Sequence, residues 1–229
     1  MRELRTFEDT NAKELESFRE QLRKSGRKVL IIMHPYWSKD RGFADSPRRK
    51  KQHETFLHRT EQTIKKSKLP VIVFEGGEKW SDEFEKTQKR VNALNEKVLL
   101  VPTKASGSQV VSRQSGKARF VEMKDFAKTL HSLGIRDIKF GGSLTGISIT
   151  HNPAIEANER KWLPKRLAPA RRQINASCAG GAYAGLCESG LFNSIKLIPE
   201  TCYPNKPEYI RNNLEKTMAR LRRYAPKRK

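Results

Sequence analysis

Long apolar runs are missing from this 229-residue chain. No stretch reaches the roughly 18 consecutive apolar residues that a membrane-spanning helix requires, so a spanning segment is not expected. Cysteine is scarce as well. Cys178, Cys187 and Cys202 form an odd set with no Cys-x-x-Cys spacing. That argues against a disulfide framework and leaves a zinc site without its ligand pattern. Reduced thiols in an intracellular compartment are the simplest reading. The opening residues Met1–Asp9 lack the apolar core of a secretory signal and include Glu3, Glu8 and Asp9. Acids there also disagree with a transit peptide, and a cytoplasmic chain is expected. No internal repeat is evident, and neither a Walker nor a dinucleotide-binding glycine fingerprint occurs.

Acidic residues are also in short supply. The chain has 25 Asp and Glu against 47 Lys and Arg, a formal charge of +22. Such an excess favours polyanionic partners, nucleic acid first, through neutralisation of phosphates; a uniformly basic, solvated surface is the plainer alternative. At 229 residues the chain can bury one sizeable core, or one core plus appendages. Its hydrophobic share of 36% and mean hydropathy of −0.75 are low for a compact globule but not low enough for wholesale disorder.

What is present is an alternation of short apolar runs and amphipathic stretches. Leu15, Phe18 and Leu22 mark a helix over 11–24 that stops at Gly26. Val29–Met33 is a continuous apolar run of strand length, suited to burial on both faces. Residues 38–51 read as a polar loop with a basic run, and a helix over 52–67 uses Phe56, Leu57 and Ile64. Val71–Phe74, Val98–Val101, Ile135–Phe140 and Ile195–Ile198 read as further strands. Helices intervene from Ser81 and Asp82 to about Leu94, from Met123 to Leu133, and from Cys178 to a stop at Gly190. Pro207 opens a last helix carrying Ile210, Leu214, Met218 and Leu221 on one face.

This pattern predicts an α/β fold: a three-layer α/β/α, Rossmann-like arrangement around a mostly parallel, doubly wound sheet. Residues 1–205 form its single domain, 143–175 a basic insertion within it, and 206–229 a basic C-terminal helix and tail. Right-handed crossovers bring the carboxyl ends of all strands to one edge, where open sheets bind ligands.

Four polar residues come to that edge. His34 follows the first strand, Glu75 the second and Lys104 the third, while Cys178 begins the helix after the fourth. A cysteine beside a lysine and a helix start would have a lowered pKa and usable thiolate character. A nearby histidine could exchange its proton. Each has a plainer role available: Cys178 packing a tight junction, Lys104 as a solvated charge, His34 bonding a neighbouring loop.

Lys104 in Val101-Pro102-Thr103-Lys104-Ala105, Cys178 in Ser177-Cys178-Ala179-Gly180-Gly181-Ala182-Tyr183, and the strand Ile195–Glu200 resemble the isochorismatase-like cysteine hydrolases, the superfamily that includes nicotinamidases. The resemblance covers most of residues 28–200, as element order plus short motifs. It implies a nucleophilic Cys178, a Lys104 that lowers the thiol pKa, and backbone N–H groups of Ala179, Gly180 and Gly181 facing an oxyanion. It departs at His34, where the superfamily has an Asp, and in the long insertion before Cys178. His34 is then the proton shuttle. The implied substrate is a small anionic amide or a related molecule, and no cofactor or metal is called for.

A second reading makes the same scaffold a binding protein for nucleic acid. Arg160, Lys161, Lys165, Arg166, Arg171 and Arg172 surround Trp162, a combination suited to phosphates and a stacked base. A solvated loop with one anchoring tryptophan is the alternative there. Gly141–Gly146 could cradle a phosphate or simply turn the chain, and His151 has no second histidine at ligand spacing.

Overall fold

A computed structural model describes residues 6–36, 47–76, 82–95, 97–104, 109–143, 147–150, 173–176 and 178–203. Its elements in chain order are α1 (Phe7–Thr10), α2 (Leu15–Lys24), β1 (Lys28–Met33), α3 (Pro47–Lys66), β2 (Val71–Gly76), α4 (Asp82–Leu94) and β3 (Val98–Thr103). There follow β4 (Val110–Gln114), β5 (Lys117–Val121), α5 (Met123–Ser132), β6 (Asp137–Ser143), β7 (Ile147–Thr150), β8 (Gln173–Ala176), α6 (Cys178–Ser189) and β9 (Ser194–Tyr203).

Seven strands form one sheet in the order β5-β4-β3-β2-β1-β6-β9. The five from β3 to β9 run parallel; β4 and β5 add an antiparallel edge. The α/β class and the mostly parallel sheet expected from the alternation are therefore observed. The chain steps outward from β1 to β2 and β3 on one side, then returns to place β6 and β9 on the other. The carboxyl ends of β1 and β6 thus adjoin where the strand order reverses.

Strand residues alternate between two apolar clusters, as a pleated backbone requires. Val29, Ile31, Met33, Phe74 and Phe140 join Phe18 of α2, Phe126 of α5 and Leu186 of α6. Leu30, Ile32, Val71 and Val73 join Leu57 and Ile64 of α3 and Phe84 and Val91 of α4. Burial on both faces explains why β1 and β3 are continuous apolar runs.

Four local features differ from expectation. First, α3 begins at Pro47, so part of the basic run read as loop is helical. Proline fixes φ for a first turn, and Arg48, Lys50 and Lys51 are exposed on it. Second, residues 110–121, between the expected strand Val98–Val101 and the helix from Met123, form the β4–β5 hairpin. Its tip, Ser115 (φ 49°) and Gly116 (φ 78°), has the two positive φ angles of a type I′ turn. Third, β6 runs on through Ser143 and β9 through Tyr203. Fourth, the ends of the insertion pair as β7 and β8, with Ile147 opposite Ala176 and Thr150 opposite Gln173.

A short N-terminal segment completes the free side of β3, which meets β4 in register only at Thr103–Val110. Asn11, 2% exposed, donates from Nδ2 to the Leu100 carbonyl at 2.8 Å and accepts from the Leu100 N–H at 3.1 Å. One side chain thereby takes the place of a strand partner. Glu8 accepts from the Ser112 hydroxyl and the Arg113 N–H, fixing α1 to the hairpin. Among the described residues, no helix is long and apolar enough to cross a membrane.

Candidate functional site

The candidate site lies where β1, β2, β3, β6 and α6 meet. His34 leaves β1 with φ 50°, a left-handed conformation that few residues other than glycine adopt. The turn directs the imidazole inward, where it is fully buried. Contacts from three neighbouring strands help to hold it. Its N–H donates to the Phe74 carbonyl at 2.7 Å, its carbonyl accepts from the Ser143 hydroxyl at 2.6 Å, and its Nε2 lies 2.6 Å from Thr103 Oγ1. The Thr103 hydroxyl in turn donates to the Glu75 carbonyl at 3.0 Å. A hydroxyl has a single proton to give, so Thr103 accepts from His34, and Nε2 carries the imidazole proton. Burial alone pushes the His34 pKa down to about 3, keeping the ring neutral at physiological pH.

Glu75 ends β2 and is 4% exposed. Its two carboxylate oxygens accept from the Tyr36 and Gly76 N–H groups, each at 3.1 Å. Tyr36 is itself clamped: its hydroxyl donates to Glu61 at 3.0 Å, and the Arg90 guanidinium lies 4.8 Å over its ring while pairing with Glu61. Helices α3 and α4 therefore fix the backbone N–H that orients the Glu75 carboxylate.

Cys178 is the first residue of α6 and is 4% exposed. Its pKa is raised to about 11, by burial first and by the Glu75 charge as well; its own backbone N–H lowers it only partly. The lowered pKa expected at a helix start does not hold. The loss of solvent outweighs the favourable end of the helix, and the thiol is protonated at neutral pH. The N–H groups of Ala179 and Gly180 belong to the opening turn, which lacks intrahelical partners; that of Gly181 is the first able to bond a carbonyl four residues back.

The approach of α6 to the sheet depends on Gly142. A β-carbon there would stand 2.5 Å from the Met33 carbonyl oxygen and 3.0 Å from the Ala179 β-carbon. Gly185 is as close to α5, with 3.0 Å from its would-be β-carbon to the Lys124 N and the Met123 β-carbon. The small-residue sequence of α6 is thus first a packing requirement.

The structure brings His34, Glu75, Thr103 and Ser143 together and places the Glu75 charge within reach of Cys178. Lys104 leaves β3 at the same edge, half-buried, with its ammonium 5.7 Å over the Phe120 ring of the hairpin. It is not among the charges acting on the thiol. Arg160, Lys161, Trp162, Lys165, Arg166, Arg171 and Arg172 lie outside the described residues, as do 206–229. Thr103 and Ser143 were not singled out from the sequence, since their roles arise from contacts 69 and 109 residues away. Among the described residues, no group of three or more His, Cys, Asp or Glu could hold a metal ion. No protein-family model, curated protein or solved structure matches this chain.

Proposed function

We propose that this protein is a divergent isochorismatase-fold cysteine hydrolase acting on a small, anionic, amide-like substrate. The two apolar clusters on alternate strand residues support a three-layer α/β/α, doubly wound arrangement. The observation that carries the catalytic reading is the relation of Cys178 to Glu75. A thiol at a helix start sits in the field of a buried, oriented carboxylate, beside the point where strand order reverses.

In this reading the free site holds a thiol and a carboxylate. Glu75 accepts the Cys178 proton as the sulfur attacks the amide carbon. The carbonyl electron pair moves to oxygen, facing the N–H groups of Ala179 and Gly180. Collapse of the adduct breaks the C–N bond, and the departing amine takes the proton held by Glu75. Water then adds to the thioester, releasing the acid and returning a proton to sulfur. His34, held neutral, is a poor acceptor at this pH and positions the ends of β1 and β3. Lys104 supplies positive charge at the same edge for an anionic substrate.

The test is ammonia release from a set of small carboxylate-bearing amides. The wild-type protein releases ammonia and Cys178→Ala does not. Equal release by the two proteins overturns the reading.

A further inference from the structure

We propose that a groove between α3 and the β6–β9 side of the sheet binds single-stranded nucleic acid through its phosphates. The groove has a volume of about 990 Å³, within the range of ligand-binding clefts. Its floor is apolar, from Leu30, Leu197 and Ile198, and its walls are cationic. Arg59 and Lys66 project from α3, Lys68 from the turn after it, and Lys139 and Lys196 from β6 and β9, opposed by Glu200. All five cations are exposed, and none has an ion-pair partner among the described residues.

The placement of the two strand lysines is the informative feature. Lys139 and Lys196 are register partners on adjacent strands, a like-charge pair that costs stability unless an anion lies between or above them. On α3, Arg59 and Lys66 are seven residues apart on one face, about 10 Å along the axis. That length matches roughly three phosphates of a stacked strand. Five cations against one carboxylate, in a chain of formal charge +22, favour a polyanion. A concave cleft suits a single strand better than the plane of a membrane. Among the described residues no Phe, Tyr or Trp lines it and His58 is the one aromatic ring there, so the contact is chiefly to phosphates.

This surface is separate from the Cys178 site. None of His34, Glu75, Thr103, Ser143 and Cys178 lines it. Leu30 and Ile198 of its floor pack in the cluster with α3 and α4, and only Leu197 joins the cluster that holds Cys178. Either proposal can therefore fail without the other.

The experiment is fluorescence anisotropy with a labelled oligouridylate of about 20 nucleotides, titrated between about 50 and 200 mM salt. Contacts from the five groove cations predict a log–log salt slope of about −3.5. Lys139→Gln with Lys196→Gln weakens binding about tenfold and makes the slope shallower by about 1.4. Arg59→Gln with Lys66→Gln does the same from the opposite wall, so the proposal is read even if one pair disturbs folding. Lys86→Gln with Lys89→Gln, an equal loss of charge on α4, leaves affinity within about twofold. Equal weakening by all three pairs, or affinity that ignores salt, overturns the assignment. So does displacement of the oligonucleotide by poly-glutamate or anionic vesicles at lower concentration than by unlabelled oligouridylate.

Discussion

The imidazole Nε2–H of His34 donates to the Thr103 hydroxyl at 2.6 Å, reaching over β2 to tie the end of β1 to the end of β3. Because Thr103 spends its own proton on the Glu75 carbonyl, the pair works only with a histidine protonated at Nε2.

Acid should loosen the fold by placing a charge on this buried ring. The folded pKa of about 3 lies below the ordinary value of 6.5, so the neutral ring contributes stability that is fully present above about pH 6.5. That contribution is lost as pH falls through 6.5 toward 3, to a total on the order of 5 kcal/mol. Thermal melts from pH 7 to pH 4 should show a steeper fall in Tm for wild type than for His34→Gln. Parallel profiles would show that His34 does not titrate in this way. Thr103→Val, which strands a buried N–H donor, should cost about 1–3 kcal/mol at pH 7.

Replacing Glu75 separates charge from chemistry. Its carboxylate raises the Cys178 pKa, so Glu75→Gln should lower that pKa, with burial still holding it above the ordinary thiol value. Iodoacetamide at pH 8, followed by peptide mapping, should then alkylate Cys178 several-fold faster in Glu75→Gln than in wild type. The same substitution should slow amide hydrolysis, because the proton acceptor is gone. Slower alkylation in the variant would mean that Glu75 does not act on the thiol.

Gly142→Ala tests how α6 is seated. The added methyl meets the Met33 carbonyl oxygen at 2.5 Å, the Met33 β-carbon at 2.7 Å and the Ala179 β-carbon at 3.0 Å, with nothing flexible to yield. A loss of about 2–3 kcal/mol in urea unfolding is expected, together with a changed alkylation rate at Cys178. Gly190→Ala, in open space at the far end of the helix, should leave that rate unchanged even though its φ of 65° makes the substitution strained.

Much of the fold was legible because β1, β2 and β3 are short apolar runs buried on both faces, a pattern no amphipathic helix reproduces. The β4–β5 hairpin was not, because Lys117 and Arg119 interrupt its apolar alternation. Those charges suit an outer strand, whose free edge they protect from further pairing. At the site, sequence order brought His34, Glu75, Lys104 and Cys178 to one edge. It could not say which way each side chain turns. Lys104 packs over Phe120, a partner that only the hairpin provides, and Thr103 and Ser143 gain their roles from His34 across the sheet. The thiol pKa was misjudged for a related reason. A helix start is visible in sequence, while the desolvation that outweighs it comes from packing among distant elements.

The central claim is that Cys178 is the nucleophile, and trapping its acyl intermediate tests this most directly. The protein is incubated with small carboxylate-bearing amides, quenched in acid and mapped by mass spectrometry. A thioester-linked acyl mass on the peptide containing Cys178, absent from Cys187 and Cys202, is predicted. No adduct during turnover, or adducts spread over all three cysteines, would contradict the account.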